Sequence, residues 1–236
     1  MDDIIDGVTQ AIHLIVTMDP EVMEIAQRSL TVSSQATLIA ALIAIPLGAA
    51  IYYFTFRGKR AVIGTIQTLY ALPTVLVGLL VYLLVSNSGP LGGLRFLYTT
   101  NAMVFAQVLL VIPIIAGLSI AGLSSLDKEM KYTIQSLNAN TFQAIITLCR
   151  EAKFAILSGV MLAFGRAIAE VGAVMMVGGN IRHFTRTLTT AISLNTSMGE
   201  FSTSIALGII LLSIALIVNF AMNIIQNWHS GGKKDV

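Results

Sequence analysis

The amino-acid sequence predicts an all-α integral membrane protein, because its composition is strongly apolar and its apolar residues form long uninterrupted segments. Of 236 residues, 56% are hydrophobic and 11% are charged, and the mean hydropathy is +0.83, outside the range of soluble globular domains. A helix needs about 20 mostly apolar residues to cross a bilayer. Five segments meet this requirement and predict about five transmembrane helices: 31–56, 61–86, 102–123, 154–178 and 205–226. They lack the alternation expected of barrel strands.

The first 30 residues are predicted to form a helical lead-in to the first span, on the extracytoplasmic side or at the membrane interface. Three acidic residues stand where a signal peptide would carry positive charge: Asp2, Asp3 and Asp6. Asp19 suits a helix N-cap, Pro20 the first helical position and Glu21 the first turn. At the other end, 227–236 is predicted to be a short cytoplasmic tail.

Orientation follows from the distribution of Lys and Arg between the two sets of connections. Nine flank the spans on one side: Arg57, Lys59, Arg60, Lys128, Lys131, Arg150, Lys153, Lys233 and Lys234. Four lie on the opposite side: Arg28, Arg95, Arg182 and Arg186. The prediction is a multi-pass protein of the cell membrane with its N-terminus outside and its C-terminus inside. The net charge of +2 is explained by this asymmetry and gives no indication of a nucleic-acid partner.

Three prolines fall inside predicted spans, where each removes a backbone hydrogen bond and bends or interrupts its helix. They are Pro46, Pro73 and Pro113. Because receptors and membrane enzymes also contain bent helices, these prolines are interpreted as structural kinks. Cys149 lies in a predicted cytoplasmic connection and is expected to remain a free thiol.

The fourth predicted span contains two charged residues, Arg166 and Glu170, four positions apart. An intramembrane charge costs at least about 2.5–3.5 kcal/mol and must face protein or water. Gly159, Ala163 and Ala167 fall on nearly the same helical face, which could accept a close neighbour helix or line a passage. Two interpretations follow: a buried ion pair that locks helices together, or an arginine beside the route of an anion.

The longest predicted cytoplasmic connection, 124–153, is expected to form two short amphipathic helices joined near residues 138–140. It could be a docking surface for a partner or a loop folded on its own membrane domain. No phosphate-binding loop accompanies Gly58-Lys59 or Gly232-Lys233, and the histidines are scattered without a metal or catalytic motif. The sequence therefore predicts no catalytic activity, metal site or cofactor.

Several segments resemble the permeases of tungstate-type ABC importers, over about residues 21–223. The quoted stretches are 69–80 (LYALPTVLVGLL), 88–92 (SGPLG), 164–181 (FGRAIAEVGAVMMVGGNI) and 185–192 (TRTLTTAI). Molybdate and sulfate permeases share chiefly the Glu-x-Gly-Ala step at 170–173. Residues 133–152 resemble the loop by which such permeases engage their ATPase, with Asn138 at the usual glycine, Tyr132 at the acidic start and Cys149 at the usual proline.

This resemblance implies a type I ABC importer transmembrane domain over 31–226, with two copies of the chain forming the pathway. A separate ATPase dimer would dock on the loop 124–153, and an extracytoplasmic binding protein would deliver the oxyanion, most specifically tungstate. The residues expected to couple to the ATPase are Tyr132, Gln135, Leu137, Asn138, Ala139, Asn140 and Phe142. ATP would bind only to the partner.

A tetrahedral dianion needs weak positive potential and hydroxyl or amide donors along its route. The pathway or gating candidates are Arg166, Glu170, Asn180, Thr189 and Thr190, of which Arg166 and Glu170 are assigned first to helix packing and gating geometry. Arg182 and Arg186 are expected to contact the anion, to contact the binding protein, or to be solvated loop charges. The alternatives are a molybdate or sulfate permease of the same family, or an autonomous anion carrier that needs no ATPase.

Overall fold

A computed structural model describes residues 2–127, 129–130, 134, 136 and 140–230. All regular secondary structure in these residues is helical, which confirms the predicted fold class. The α-helices, numbered here in chain order, are α1 (Asp2–Val16), α2 (Pro20–Tyr53), α3 (Lys59–Thr68), α4 (Thr74–Val85), α5 (Thr100–Ser124), α6 (Thr141–Glu151), α7 (Lys153–Ile168), α8 (Gly172–Gly178), α9 (Leu188–Ser197) and α10 (Phe201–Ser230). Short 3₁₀ turns follow α3 at Leu69–Ala71 and precede α5 at Gly92–Leu94.

Three helices are individually long and apolar enough to cross a membrane: α2, α5 and the part of α10 that spans Phe201–Phe220. Helix α2 begins as the sequence predicts, since the Asp19 side chain accepts a hydrogen bond from the Val22 amide at 3.0 Å and Pro20 occupies the first turn. Its 34 residues make it about 51 Å long. It is therefore longer than the hydrocarbon core, and residues 20–30 extend the first predicted span at its N-terminal end.

Two further spans are broken. The helix pair α3 and α4, with the 3₁₀ turn between them, bends by 97°, and α7 and α8 bend by 57°. Counting each pair as one span gives up to five, as predicted. The first break falls at Pro73, which lacks an amide hydrogen and disfavours helix at Leu72. Pro46 and Pro113, by contrast, lie inside the continuous helices α2 and α5.

Helix α5 occupies the centre of the main core and packs against α2, α7 and α8. The contact between α2 and α5 is close enough that a Cβ atom on Gly48 would lie 2.8 Å from the Ala116 carbonyl oxygen. The outer arms of the two broken spans, α4 and α8, pack on each other, and a Cβ atom on Gly78 would lie 2.8 Å from the Ala173 Cα atom. The two broken spans therefore pack against each other through their second helices, α4 and α8.

Two smaller cores flank the main one. At one end, α1 and α9 pack on α10, and Val22 and Ile25 at the beginning of α2 pack with Leu207 and Ile210 of α10. At the other end, α6 packs through Leu148 beneath Leu123, the penultimate residue of α5. We call the end at which α2 begins the outer end, after the side that the Lys and Arg distribution predicts.

Candidate functional site

Arg166 lies on a face of α7 that no other described element covers. Ser158, Leu162, Arg166 and Ala169 are all exposed, and their spacing places them along one side of the helix. Arg166 forms no hydrogen bond or ion pair with any other residue that the structure describes. It is about 20 Å along the helix axis from Lys153, at 1.5 Å per residue. A free guanidinium therefore lies deep within a span.

Glu170 is not on that face, and the ion pair expected between it and Arg166 is not formed in this chain. Helix α7 ends at Ile168, so the two residues are not four apart on a continuous helix. The Glu170 carboxylate instead accepts a hydrogen bond from the Ala173 amide at 3.0 Å, in the first turn of α8. A carboxylate is favoured there because the first amides of a helix lack partners.

The small residues of α7 also separate from Arg166. Gly159, Ala163 and Ala167 are buried against α5, as expected for a close helix contact. Since Ala167 follows Arg166 directly, the two side chains point about 100° apart around the helix. The sequence prediction placed these small residues and the arginine on nearly one face, whereas the structure divides them between a packed face and an open one.

The break between α7 and α8 is fixed by hydrogen bonds from two other helices. The Ala167 carbonyl oxygen accepts from the Glu170 amide at 3.2 Å and from Gln107 Nε2, on α5, at 2.9 Å. The Glu170 carbonyl oxygen accepts from Thr189 Oγ1, on α9, at 2.8 Å. Gln107 Oε1 is buried without a hydrogen-bond partner in the described part of the chain. Sequence reasoning missed Gln107, although an amide inside an apolar span is itself a signal.

The hydroxyl groups proposed for the pathway are buried in this chain. Thr187 and Thr190 form a capping box at the start of α9, in which Thr190 Oγ1 accepts from the Thr187 amide at 2.9 Å. Asn180 Nδ2 donates to the Thr190 carbonyl oxygen at 3.3 Å. Thr189 and Thr190 are buried. Their polar groups hold the beginning of α9 in place, and the structure does not bring them to the open face of α7.

The connection 179–187, here called the Arg182 loop, is attached to the beginning of α2 by ion pairs. Arg182 Nε and Nη2 contact the two Glu21 carboxylate oxygens at 2.9 and 2.6 Å, a two-bond geometry that suits a guanidinium. Arg186 Nη1 lies 3.8 Å from Glu21 Oε1, and Arg186 Nε donates to Asn180 Oδ1 at 3.3 Å. Hydrogen bonding to the Glu21 carboxylate raises the pKa of Arg182 above its usual value.

Arg28 is a second attachment for the same loop. Its guanidinium pairs with Glu24 at 2.5 Å and donates to the carbonyl oxygens of Arg186 at 3.0 Å and His183 at 3.1 Å. His183 Nδ1 lies 3.0 Å from Glu24 Oε2. Of these residues, the sequence predicts Glu21 only as part of a helix start and gives no prediction of Glu24, Arg28 or His183 at the site. The four-residue spacing of Glu24 and Arg28 was the one local signal.

At the opposite end of the bundle, Asn140 caps α6 with a capping box: its side chain accepts from the Gln143 amide at 2.9 Å, and its own amide donates to Gln143 Oε1 at 3.1 Å. Phe142 is 73% exposed, while Leu148 is buried. Burial raises the pKa of the Cys149 thiol. The other predicted coupling residues lie outside the described residues: Tyr132, Gln135, Leu137, Asn138 and Ala139.

Two broken spans, and an arginine within one of them that has no partner among the described residues, indicate a membrane transport subunit. Comparison with known proteins names the family. Residues 36–230 match the family described as "Binding-protein-dependent transport system inner membrane component". The chain belongs to this family, whose members are multi-pass membrane permeases of the ABC importer type.

Two relatives share most of the chain. The tungstate uptake system permease protein TupB of Peptoclostridium acidaminophilum is 42% identical over 226 residues, which cover 96% of this chain and 99% of that protein. The protein of the same name from Campylobacter jejuni is 40% identical over 220 residues, covering 93% of this chain and 92% of its own. Both relatives are permease proteins by name.

Solved structures show the same fold at low sequence identity. A bacterial ABC transporter involved in import of the acidic polysaccharide alginate matches with a TM-score of 0.74 and 17% identity, covering 91% of this chain and 82% of that one. The alginate transporter in complex with its pentasaccharide-bound periplasmic protein matches with a TM-score of 0.70 and 17% identity, covering 89% and 80%. These likenesses concern the fold alone.

Proposed function

We propose that this chain is the permease subunit of an ATP-driven importer for a tetrahedral oxyanion, most specifically tungstate, and that two copies enclose the pathway. The observation that carries the proposal is the exposed guanidinium of Arg166 on the open face of α7, which has no partner in the described part of the chain. The two tungstate uptake permeases with at least 40% identity support the choice of substrate.

Arg166 cannot be left facing lipid, since an intramembrane arginine costs at least about 2.5–3.5 kcal/mol even by the mildest estimate. No carboxylate of the described residues neutralises it, because Glu170 is buried in the break that follows α7. The open face must therefore meet water or another protein chain. A water-lined passage between two chains would bring this face into contact with water and with a second chain.

A second copy related by a twofold axis would bring the same face of α7 to the pathway from the opposite side. Two Arg166 side chains would then give the passage a positive potential suited to a dianion. The neighbouring exposed positions on this face, Ser158, Leu162 and Ala169, carry a single hydroxyl between them. Few donors surround the charge, so binding would be weak enough for release, as transport requires.

The break between α7 and α8 gives the pathway its geometry and a place to move. Glu170 caps α8, and its backbone is bonded to Thr189 of α9, while Gln107 of α5 holds the last turn of α7. We assign Glu170, Thr189, Thr190 and Asn180 to gating geometry on this basis. Rearrangement of the break would tilt α7, and with it Arg166, relative to the outer end.

Energy would come from a separate ATPase docked on the segment 124–153. Within the described part of that segment, α6 is anchored through Leu148 and presents Phe142 outward at 73% exposure. An exposed aromatic side chain beside a buried apolar anchor is the pattern of a docking helix. Asn140 would fix the start of this helix through its capping box.

The test is transport in proteoliposomes that contain this chain, with the partner ATPase and the binding protein supplied or omitted one at a time. Tungstate, molybdate and sulfate uptake would be compared. We expect uptake to require both partners and ATP, and to favour tungstate. Arg166→Gln should lower the uptake rate at least about tenfold, equivalent to about 1.4 kcal/mol, whereas Arg166→Lys should retain part of it.

Arg60→Gln is the matched control, because it removes one exposed arginine near the cytoplasmic start of α3, far along the chain from α7. Its uptake should stay near the wild-type rate. Uptake by the chain alone would overturn the proposal in favour of an autonomous carrier. A preference for molybdate or sulfate would retain the proposed ATP-driven importer but change its proposed substrate. Normal uptake by Arg166→Gln would show that Arg166 does not act in the pathway.

A further inference from the structure

The four arginines of the outer end differ in whether they are free to bind a partner. Arg28, Arg182 and Arg186 all contact carboxylates of α2. Arg95, in the connection 86–99, is exposed and forms no hydrogen bond or ion pair with any other residue that the structure describes. Of these four side chains, Arg95 alone therefore has no carboxylate partner among the described residues.

The connection 86–99, here called the Arg95 loop, is held in one conformation by its backbone. The Leu91 amide donates to the Leu84 carbonyl oxygen at 2.9 Å, and the Arg95 amide donates to that of Gly92 at 3.1 Å. Tyr98 is tied to α8, since its amide donates to the Val177 carbonyl oxygen at 2.9 Å. A preformed loop loses little conformational entropy when a partner binds.

Arg95 has apolar and aromatic neighbours that are also exposed. Leu94 is 53% exposed and Tyr98 is 42% exposed. Asn87, Arg95, Leu97 and Tyr98 line an open depression of about 560 Å³. Arginine and tyrosine beside aliphatic groups are typical of the central residues of protein–protein contacts. Three of the four lining side chains, Asn87, Arg95 and Tyr98, carry hydrogen-bond donors beside the aliphatic Leu97, so the depression offers a mixed polar and apolar surface to a partner.

We propose that Arg95 docks the extracytoplasmic binding protein by pairing with a carboxylate on its surface, with Leu94 and Tyr98 packing around that pair. The inference rests on the proposed function, because it requires a binding protein that delivers the oxyanion. It transfers the docking role from Arg182 and Arg186, which their own chain already engages, to an arginine that the sequence motifs did not single out.

The experiment measures the affinity of the purified oxyanion-loaded binding protein for the permease–ATPase complex in nanodiscs, over a range of salt concentrations. Arg95→Glu should raise the Kd at least about tenfold at low salt, since it replaces an attraction by a repulsion, and the effect should shrink as salt increases. Arg95→Lys should stay close to wild type. Arg60→Glu makes the same charge change at the opposite end and should leave this affinity unaltered.

A set of single Asp→Lys and Glu→Lys variants of the binding protein should contain one that restores binding to Arg95→Glu. Binding of wild type and Arg95→Glu with equal affinity would overturn the inference while leaving the proposed function in place. A wild-type complex that binds no such protein would overturn both. Tungstate binding to the permease would also be measured in the absence of the binding protein. If Arg95→Glu abolished that binding, Arg95 would be assigned to the oxyanion, and the docking role would be overturned.

Discussion

The Arg95 loop and the Arg182 loop are neighbours at the outer end, but they are attached to the neighbouring helices by different kinds of bond. The Arg95 loop closes mainly through backbone hydrogen bonds, and its arginine is left in solvent. Within the Arg182 loop the amides of Phe184, Thr185 and Arg186 donate to the Ile181 carbonyl oxygen, but side chains attach the loop to α2 and α8: Arg28, Glu21 and Thr185. The two loops touch where the Tyr98 ring lies over Gly179.

This difference shows that the number of charges in a loop does not indicate how many are free. The distribution of Lys and Arg predicts which side of the membrane a loop occupies, since that effect counts residues. Recognition depends on whether each charge is already neutralised. The Arg182 loop has more cationic side chains but commits them to its own fold, so the loop with one arginine is the better docking surface.

The largest effect should come from removing the side-chain bonds that close the Arg182 loop. Thr185 is 1% exposed, and its Oγ1 donates to the Gly178 carbonyl oxygen at 2.6 Å and accepts from the Ile181 amide at 2.9 Å. Thr185→Val keeps the side-chain shape but leaves the Gly178 carbonyl oxygen and the Ile181 amide without the hydroxyl partner. The free energy of unfolding should fall by about 3 kcal/mol. SDS-induced unfolding in mixed micelles, followed by circular dichroism, would measure the loss.

Thr99→Val is the corresponding change in the Arg95 loop. Thr99 Oγ1 donates to the Phe96 carbonyl oxygen at 2.5 Å and accepts from the Ala102 amide at 3.5 Å in a half-buried position. Loss of this helix cap should cost about 1 kcal/mol, because backbone bonds still close the loop. Equal losses from the two variants would contradict the distinction between a loop held by side chains and one held by backbone.

An effect between those of Thr185→Val and Thr99→Val is expected where the two loops meet. Gly179 has φ +73°, and a Cβ atom there would lie 2.8 Å from Tyr98 Cδ1. Gly179→Ala adds the cost of a left-handed conformation, about 1–2 kcal/mol, to that of moving the Tyr98 ring, giving about 2 kcal/mol in the same unfolding measurement. Gly93→Ala, in the Arg95 loop, meets open space and should change stability little. If both variants are neutral, the contact between the loops is unimportant.

The spans were predictable because apolar length is a direct physical requirement of the bilayer, and the beginning of α2 was predictable because Asp19 and Pro20 act locally. The break at Pro73 also has a local cause. The break after Ile168 has no comparable local cause in the sequence. It depends on Glu170 capping α8 and on α8 packing against α4, and neither contact follows from apolar periodicity. A continuous span was therefore expected, and with it an ion pair that the break prevents.

The charge pairs of the outer end could not be predicted for a related reason. Glu21 and Arg182 are 161 residues apart in the sequence, and only the folded bundle brings the beginning of α2 beside the Arg182 loop. The sequence alone predicts a separate role for each residue: a helix start for Glu21 and a binding surface for Arg182. The lack of a partner for Arg95 among the described residues is equally a property of the fold, since the fold places no described acidic side chain within ion-pair distance of it.

The smallest expected effect comes from releasing Arg182 rather than removing it. Glu21→Gln preserves side-chain shape but removes the negative charge beside Arg182 and Arg186. If neutralisation is what separates the two loops, this variant gives the Arg182 loop a cation that can reach the binding protein. Affinity in the nanodisc assay should rise about two- to fivefold at low salt, the range of one exposed ion pair, and its salt dependence should steepen.

Glu200→Gln distinguishes this mechanism from a general change in charge. Glu200 is exposed beside the beginning of α10 and has no ion pair among the described residues, so its substitution alters the net charge equally without freeing an arginine. Adding Arg182→Ala to Glu21→Gln should return the affinity to the wild-type value. An equal rise in Glu21→Gln and Glu200→Gln would mean that the net charge of the outer end governs docking, and the pairing of individual arginines would no longer separate the two loops.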